Sequence, residues 1–215
     1  MAFAALMPPT CCLCGAAGQE PDLDLCEVCA TLFPVNTDPV AEVHAALPTV
    51  VRVLVPFQYA YPVDHLIRAL KFRGERVYAR VLGVLLARAH QALRPEWVPQ
   101  VIVPVPLHSG RYRERGFNQS GEIAHFAGRQ LGVSVDAHCL VRKAATREQS
   151  GLSLPERRRN VQGAFAALRS MEGKRVALVD DVLTTGSTAL AAAHALTDAG
   201  AEEIELWAVA RVPLD

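Results

Sequence analysis

The residues best suited to chemistry lie close together near the carboxyl end of the 215-residue chain. Asp180 and Asp181 follow the apolar run 176–179, and shortly after them comes a run of hydroxyl side chains around one glycine, formed by Thr184, Thr185, Gly186, Ser187 and Thr188. Adjacent carboxylates can accept hydrogen bonds from a sugar diol, and their charge favours a cation that develops on the sugar ring. The hydroxyls, the glycine and the free N–H groups of a following helix suit a phosphate. This loop, which includes Val182 and Leu183, therefore predicts a site for a phosphorylated ribose.

Two other structures could carry part of this pattern. An apolar strand that ends in two acids also occurs in P-loop ATPases, but the chain contains no G-x-x-x-x-G-K-[ST] sequence for the phosphates. A plain strand–turn–helix with a capping aspartate or threonine remains open. That plain structure would not explain why an acid pair, a threonine pair and a glycine occur together in one loop.

Five of the six cysteines fall between positions 11 and 29. The pairs Cys11/Cys14 and Cys26/Cys29 each have Cys-x-x-Cys spacing and are separated by eleven residues. That arrangement lets four thiolates surround one Zn²⁺, with no coordination position left for water, so we expect a structural zinc ribbon. Cys12 fits less well because it is only two residues from Cys14. One or two disulfides, or a reduced site without metal, remain alternatives.

Charge is balanced over the whole chain, with 22 basic and 22 acidic residues, but not along it. Between His108 and Asn160 there are ten basic and five acidic residues. This stretch includes Arg111, Arg113 and Arg115 and suits a polyanion, either a phosphate group or a nucleic acid. A solvated basic face with no ligand is the alternative.

Apolar runs that alternate with helical patterns predict an α/β fold, with a mostly parallel sheet and helices on both faces. We predict strands over residues 50–59, 100–105, 133–140, 175–179 and 204–209. We predict helices over residues 63–71, 75–93, 118–131 and 188–199. The polar, aperiodic stretch 144–154 predicts a long mobile loop.

These patterns divide the chain into four parts. They are a zinc ribbon (1–35), a linker (36–49), an extension that could form a hood over a site (50–96) and the main α/β domain (97–215). The chain has no apolar run of the ~18 residues needed to cross a bilayer. Its apolar start also lacks the basic residues of a signal peptide. We therefore expect a cytoplasmic protein with reduced thiols and no membrane insertion.

The segment 176–188 closely resembles the phosphoribosyl pyrophosphate (PRPP) motif of type I phosphoribosyltransferases. The resemblance implies that Asp180 and Asp181 contact the ribose hydroxyls and serve catalysis, while residues 184–188 hold the 5′-phosphate. It also implies that Mg²⁺ binds together with PRPP, on pyrophosphate and ribose oxygens, rather than in a cage of protein ligands. The main domain is then expected to have the fold of that family.

Several further segments resemble the ComF family, which also carries an N-terminal four-cysteine motif. They are the L-K-F-x-G segment 70–74, the run 103–108, the arginine-rich run 111–119, and the segments 146–153 and 157–160. The resemblance covers nearly the whole chain. Members of the family are associated with natural competence, the uptake of single-stranded DNA for transformation. A relative outside competent species has been linked to other metabolism, so the resemblance does not fix the pathway.

The resemblance also suggests roles for two loops. Val105, Pro106, Leu107 and His108 stand where type I enzymes place the pyrophosphate loop. Arg147 and Gln149 stand in the segment that resembles the flexible lid, which excludes water from the reacting sugar. A structural turn with a surface histidine remains open for His108, as does a solvated helix face for the three arginines.

Three functions follow from these expectations. The first is a competence protein that acts on single-stranded DNA and transfers 5-phosphoribosyl from PRPP to an unknown acceptor. The second is a non-catalytic adaptor that binds DNA or a helicase-like competence protein and only senses PRPP or a nucleotide. The third is a nucleobase phosphoribosyltransferase of salvage metabolism.

Overall fold

A computed structural model describes residues 9–18, 23–37, 49–143 and 163–212 of the chain. The suggested lid residues Arg147 and Gln149 lie outside these ranges, as does most of the predicted linker 36–49.

A parallel sheet forms the centre of the molecule. In chain order the strands are β1 (Val50–Leu54), β2 (Phe57–Gln58), β3 (Val101–Pro104), β4 (Leu140–Arg142), β5 (Phe165–Ala167), β6 (Arg175–Leu183) and β7 (Glu203–Arg211). The main sheet has the order β1–β7–β6–β3, and β2 continues the edge beside β7. All of its pairings are parallel, which confirms the predicted sheet type. Strands β4 and β5 form a separate antiparallel pair.

Helices cover both faces of this sheet. They are α1 (Glu27–Ala30), α2 (Val63–Arg73), α3 (Val77–Leu93), α4 (Ser109–Arg115), α5 (Gln119–Leu131) and α6 (Ser187–Asp198). One core joins α2, α3 and α5 to the face that carries Ala177 and Val209. The other joins α6 and the small sheet to the face that carries Leu178 and Leu206. Because helices cover both faces of the sheet, residues 176–179 are all buried and apolar.

A glycine on α3 allows α3 and α5 to lie close together. A Cβ atom at Gly83 would lie 2.5 Å from the carbonyl oxygen of Ile123 and 2.8 Å from Cβ of Phe126. Glycine therefore permits an approach of the two helices that any larger residue would obstruct. Helix α5 also packs directly on β6 and β3, and its amino end reaches the carboxyl edge of the strands, where Ser120 contacts Asp180.

The structure differs from the predicted elements at several places, and the short elements α1 and β5, for example, were not predicted. Strand β6 continues to Leu183 instead of ending at 179, because Asp180 and Val182 stay paired with β7. Helix α4 was not predicted. In the stretch 133–140, Val135 forms only an isolated bridge with Ile102, and β4 begins at Leu140. The main sheet also includes β1 and β2 from the predicted extension 50–96, since both strands pair with β7.

The cysteine-rich segment packs against α3. Leu25 and Phe33 belong to the same buried cluster as Tyr78 and Leu82. Arg80 on α3 donates a 2.6 Å hydrogen bond from Nε to Oδ2 of Asp24, a residue that is almost fully buried. Among the helices that the structure describes, none is long and apolar enough to cross a membrane.

Candidate functional site

The acid pair lies within the carboxyl end of β6, at the edge of the sheet where open α/β folds bind ligands. Ser120 Oγ donates a 3.0 Å hydrogen bond to Oδ1 of Asp180, and the backbone N–H of Asp181 donates to the same oxygen at 2.9 Å. Burial raises the pKa of Asp180 to about 7, and the charge of Asp181 adds to this rise against the two hydrogen bonds. Near neutral pH, Asp180 is therefore partly ionised, and in that form its carboxylate can accept a hydrogen bond.

Asp181 has a cationic partner from a distant part of the chain. The ammonium of Lys71, in the last turn of α2, forms an ion pair with Oδ2 of Asp181. The side chain of Asp181 is 6% exposed and that of Lys71 is 20% exposed. The pair thus brings the L-K-F-x-G segment to the site and neutralises a carboxylate that would otherwise be buried without a counter-charge.

The loop after the acids, which was predicted to hold a phosphate, is open to solvent. Thr184 and Thr185 are exposed, and Oγ1 of Thr185 lies 2.9 Å from Oγ of Ser187. Gly186 has φ of 72°, a left-handed conformation that favours glycine, and it begins α6 without a side-chain cap. The first N–H groups of α6 and the hydroxyls, including that of Thr188, are therefore available to an anion. Val182 and Leu183, in contrast, belong to β6.

The loop 105–108 lies directly beside the acids. Val105 donates its N–H to the carbonyl oxygen of Val179 at 2.8 Å. Asn118 donates from Nδ2 to the carbonyl oxygen of Val105 at 3.0 Å, which fixes the loop to the start of α5. His108 caps α4, and its Nδ1 accepts the N–H of Gly110 at 3.2 Å. Pro106 and Leu107 are half-buried between these anchors. The position agrees with a pyrophosphate loop, a role that stays a prediction.

Helix α4 does not present its three arginines on one face. Arg111 and Arg115 are four residues apart and share a face, whereas Arg113 points away from them. Arg111 and Arg113 are exposed. Arg115 donates to Oε1 of Gln119 at 3.0 Å, and its guanidinium carbon lies 5.6 Å from the ring centroid of Phe72. Their predicted role in binding phosphates therefore applies to Arg111 and Arg115 as a pair better than to all three.

Two residues at the site were not found by sequence reasoning. Ser120 orients Asp180, and Lys71 pairs with Asp181. The only signal for Lys71 was its place in the L-K-F-x-G segment. Ser120 follows the arginine-rich segment and had no signal of its own.

The four predicted metal ligands come together at a separate place. The sulfur atoms of Cys11, Cys14, Cys26 and Cys29 all lie within 4.8 Å of one another. Sγ of Cys14 is 3.6 Å from Sγ of Cys26, close to the edge of about 3.8 Å that a tetrahedron with Zn–S bonds of about 2.3 Å requires. All four are free thiols, and the donor set fits a structural metal ion.

Comparison with known proteins supports the fold and establishes the family. A model of the phosphoribosyl transferase domain matches residues 123–214, which run from α5 to just beyond β7. DNA utilization protein YhgH from Escherichia coli is 32% identical over 204 residues, which cover 94% of this chain and 89% of that protein. Competence protein F from Haemophilus influenzae is 35% identical over 170 residues, which cover 74% of this chain and 72% of that protein. The chain belongs to the ComF family.

This ComF family member has a type I phosphoribosyltransferase fold with an N-terminal four-cysteine cluster. It is also similar to competence protein ComFC from Streptococcus pneumoniae, with 27% identity over 72% of this chain and 66% of that protein. Among solved structures, the glutamine PRPP amidotransferase from B. subtilis matches 59% of this chain and 25% of its own, with 24% identity and a TM-score of 0.40.

Proposed function

We propose that this protein binds PRPP at the carboxyl edge of β6 and acts in the handling of single-stranded DNA during natural transformation. The observation that carries the ligand is the acid pair of β6, followed by an open hydroxyl loop at the start of α6. The acids would accept the ribose 2′- and 3′-OH groups. Thr184, Thr185, Ser187 and Thr188 would hold the 5′-phosphate together with the N–H groups of α6.

The charge at the acid pair supports binding of a sugar that carries a neutral diol. Asp181 is already balanced by Lys71, so a ribose can enter without leaving a buried charge unpaired. When ionised, Asp180 accepts the second hydroxyl, while Ser120 keeps its carboxylate in place. Both carboxylates would also stabilise positive charge on the ribose ring if its bond to pyrophosphate breaks.

Magnesium and zinc would have different roles. Mg²⁺ would arrive with PRPP, bound to pyrophosphate and ribose oxygens. Mg²⁺ would neutralise the pyrophosphate leaving group. Zn²⁺ would be held by Cys11, Cys14, Cys26 and Cys29 as a structural ion.

The DNA-related part of the proposal rests on the relatives and on α4. The names of the relatives in Escherichia coli and Haemophilus influenzae refer to DNA utilization and to competence. Arg111 and Arg115 share a face of α4, beside the loop 105–108, and could bind the phosphates of a strand. Single-stranded DNA, a helicase-like competence protein, or both would then be partners.

The second candidate function is an adaptor that binds PRPP without turnover. The Lys71–Asp181 pair favours it, because a ligand that alters this contact would alter the position of α2. A cytoplasmic location suits both candidates, since PRPP is an intracellular metabolite.

Pyrophosphate release separates the two candidates. The enzyme would release pyrophosphate from PRPP and Mg²⁺ when supplied with nucleobases or oligonucleotides as acceptors, and a variant with Asp180→Asn and Asp181→Asn would not. Binding of PRPP without pyrophosphate release over a broad set of acceptors identifies the adaptor. Absence of both binding and release contradicts the proposal.

A further inference from the structure

A cleft opens beside the acid pair, between the end of α2 and the end of α4. It has a volume of about 270 Å³ and is lined by residues 71–74 on one side and by Glu114, Arg115 and Phe117 on the other. Ligand pockets usually measure roughly 300–1,000 Å³, so this cleft lies just below that range and suits a ligand no larger than about one nucleotide. Lys71 lines the cleft and also pairs with Asp181, so the cleft adjoins the predicted ribose site.

An exposed aromatic ring forms one wall of the cleft. The side chain of Phe72 is 74% exposed, while Phe117 on the opposite wall is 8% exposed. A ring this exposed contributes little to the stability of the fold. Its one described ring contact is with the guanidinium of Arg115, at 5.6 Å from the ring centroid. A flat ligand could take the place of that guanidinium against Phe72, because aromatic and guanidinium groups compete for the same ring face.

The cleft is lined by the acidic Glu114 as well as by basic residues, and among these Arg115 is the group suited to an anionic substituent on that ligand. Arg73 is balanced by Glu75 at 3.0 Å, and Lys71 is balanced by Asp181. Arg115 differs because the groups described in contact with it, Gln119 and Phe72, are both neutral. Its guanidinium can therefore bind a phosphate without losing an ion pair.

We infer that this cleft binds one nucleotide unit, with its base stacked on Phe72 and its phosphate on Arg115. The inference deepens the proposed function, because it names a nucleotide as the class of ligand that lies next to the ribose site. The inference rests on the proposed function in one respect only, which is that PRPP is the ligand of the neighbouring site. The nucleotide could be free or could be part of a single strand, since both present the same ring and phosphate.

A tryptophan in place of Phe72 would report stacking directly. The two native tryptophans, Trp97 and Trp207, are 4% and 1% exposed, so an F72W variant would carry the only indole that is open to the cleft among the described residues. Titration with dAMP or with a deoxyadenylate strand of about twelve nucleotides should quench its emission in a saturable way. No quenching by either probe overturns the inference.

Affinity measurements on variants provide the second test. Stacking on an aromatic side chain changes affinity by roughly 5- to 150-fold per base, so Phe72→Ala should weaken binding of the probe by that factor and Phe72→Tyr should restore it. Tyr61→Ala is the matched control, because Tyr61 is 64% exposed and does not line the cleft. Equal affinity of the wild type and Phe72→Ala, or a loss of the same size in Tyr61→Ala, overturns the inference.

The two probes and a separate PRPP titration distinguish the remaining outcomes. Binding of both probes that depends on Phe72 supports a free nucleotide as ligand, and binding of the strand alone supports single-stranded DNA. Phe72→Ala should bind PRPP and Mg²⁺ as the wild type does. If the wild type binds the probes but not PRPP, the proposed PRPP site fails and the cleft stands. If it binds PRPP but neither probe, the cleft fails and the proposed PRPP site stands.

Discussion

Lys71 supplies the counter-charge that the nearly buried carboxylate of Asp181 requires. An ionised carboxylate removed from water costs several kcal/mol unless a counter-charge accompanies it. Asp181 is 6% exposed at its side chain, and Lys71 is the described cation beside it. The lysine thus allows the site to keep a carboxylate ready to accept a hydroxyl. It also ties the end of α2 to the end of β6.

Removal of the lysine alone should destabilise the protein. Lys71→Met leaves the charge of Asp181 buried and unpaired, so we expect the free energy of unfolding to fall by about 3 kcal/mol. Adding Asp181→Asn to this variant should recover most of the loss, because the charge that lacked a partner is then gone. Urea unfolding of the two single variants and the double variant measures the coupling.

Lys174→Met is the matched control, since Lys174 is exposed and no ion pair is described for it. This variant should unfold like the wild type. A Lys71→Met protein as stable as Lys174→Met would show that the ion pair contributes nothing.

Asp180 should make stability depend on pH. Its pKa is raised to about 7 in the folded chain, by burial first and by the charge of Asp181 second, whereas an unfolded aspartate titrates near pH 4. Between about pH 4 and 7 the folded chain keeps a proton that the unfolded chain has released. The contribution of Asp180 to stability therefore falls as pH rises through this window.

Asp180→Asn should accordingly raise the thermal midpoint more at about pH 8 than at about pH 5. Thermal unfolding of the variant and the wild type at both pH values gives the comparison. An effect of equal size at both pH values would mean that the pKa of Asp180 is ordinary.

The residues that were predicted from sequence share one property, which is that they are close together along the chain. The acid pair and the hydroxyl loop form one continuous segment, 180–188, and the cysteines form two short pairs. Lys71 and Ser120 reach the acids only through the packing of α2 and α5 onto the sheet. No local pattern marks such a contact, so their roles emerged only from the three-dimensional structure.

At the scale of elements, the acids and the loops are positioned by helix starts and strand ends. Asn118 caps α5 by accepting the N–H of Ser120 at 3.2 Å, and it also anchors Val105. One asparagine therefore positions both the serine that orients Asp180 and the loop beside it.

One misplaced strand end and one missed helix have physical causes. Strand β6 was predicted too short because two carboxylates interrupt its apolar run, while its backbone continues to pair with β7. Helix α4 was missed because its seven residues include no buried side chain, so it has no apolar periodicity. Its ends are set by the cap at His108 and by Gly116 instead.

The α3–α5 contact gives a prediction at this scale. Gly83→Ala places a Cβ atom against the backbone of Ile123, so we expect a loss of about 1–3 kcal/mol in the free energy of unfolding. Gly121→Ala, within α5, is the control, because its Cβ would meet Asn118 at an ordinary 3.5 Å. In a helix, that change should be neutral or stabilising by up to about 1 kcal/mol. Chemical denaturation of both variants measures the difference, and equal effects would contradict the close contact.

At the scale of the whole molecule, the cysteine cluster and the sheet form one packed body in the described residues. Leu25 and Phe33 lie in the buried cluster that also contains α3 residues, and Asp24 bonds to Arg80. The small module therefore supports α3, which packs beside α2, the helix that carries Lys71. The sequence predicted the module and the sheet separately, but it gave no sign of this contact.

Loss of the metal should lower the stability of the whole chain. We expect a variant with Cys26→Ser and Cys29→Ser to contain no zinc and to unfold at a lower temperature in one transition, because the module shares a core with α3. Cys12→Ser is the control, since Cys12 lies outside the four-cysteine cluster. Metal analysis and calorimetric unfolding test this together. An unchanged unfolding temperature in a zinc-free variant would contradict it.

The central claim is that the end of β6 binds PRPP. Isothermal titration with PRPP and Mg²⁺ tests it most directly, in the wild type and in a variant with Asp180→Asn and Asp181→Asn. We predict saturable heat with the wild type and none, or a strongly weakened response, with the variant, since the amides replace the charged acceptors of the ribose hydroxyls. No heat with the wild type, or identical binding by both proteins, would contradict the claim.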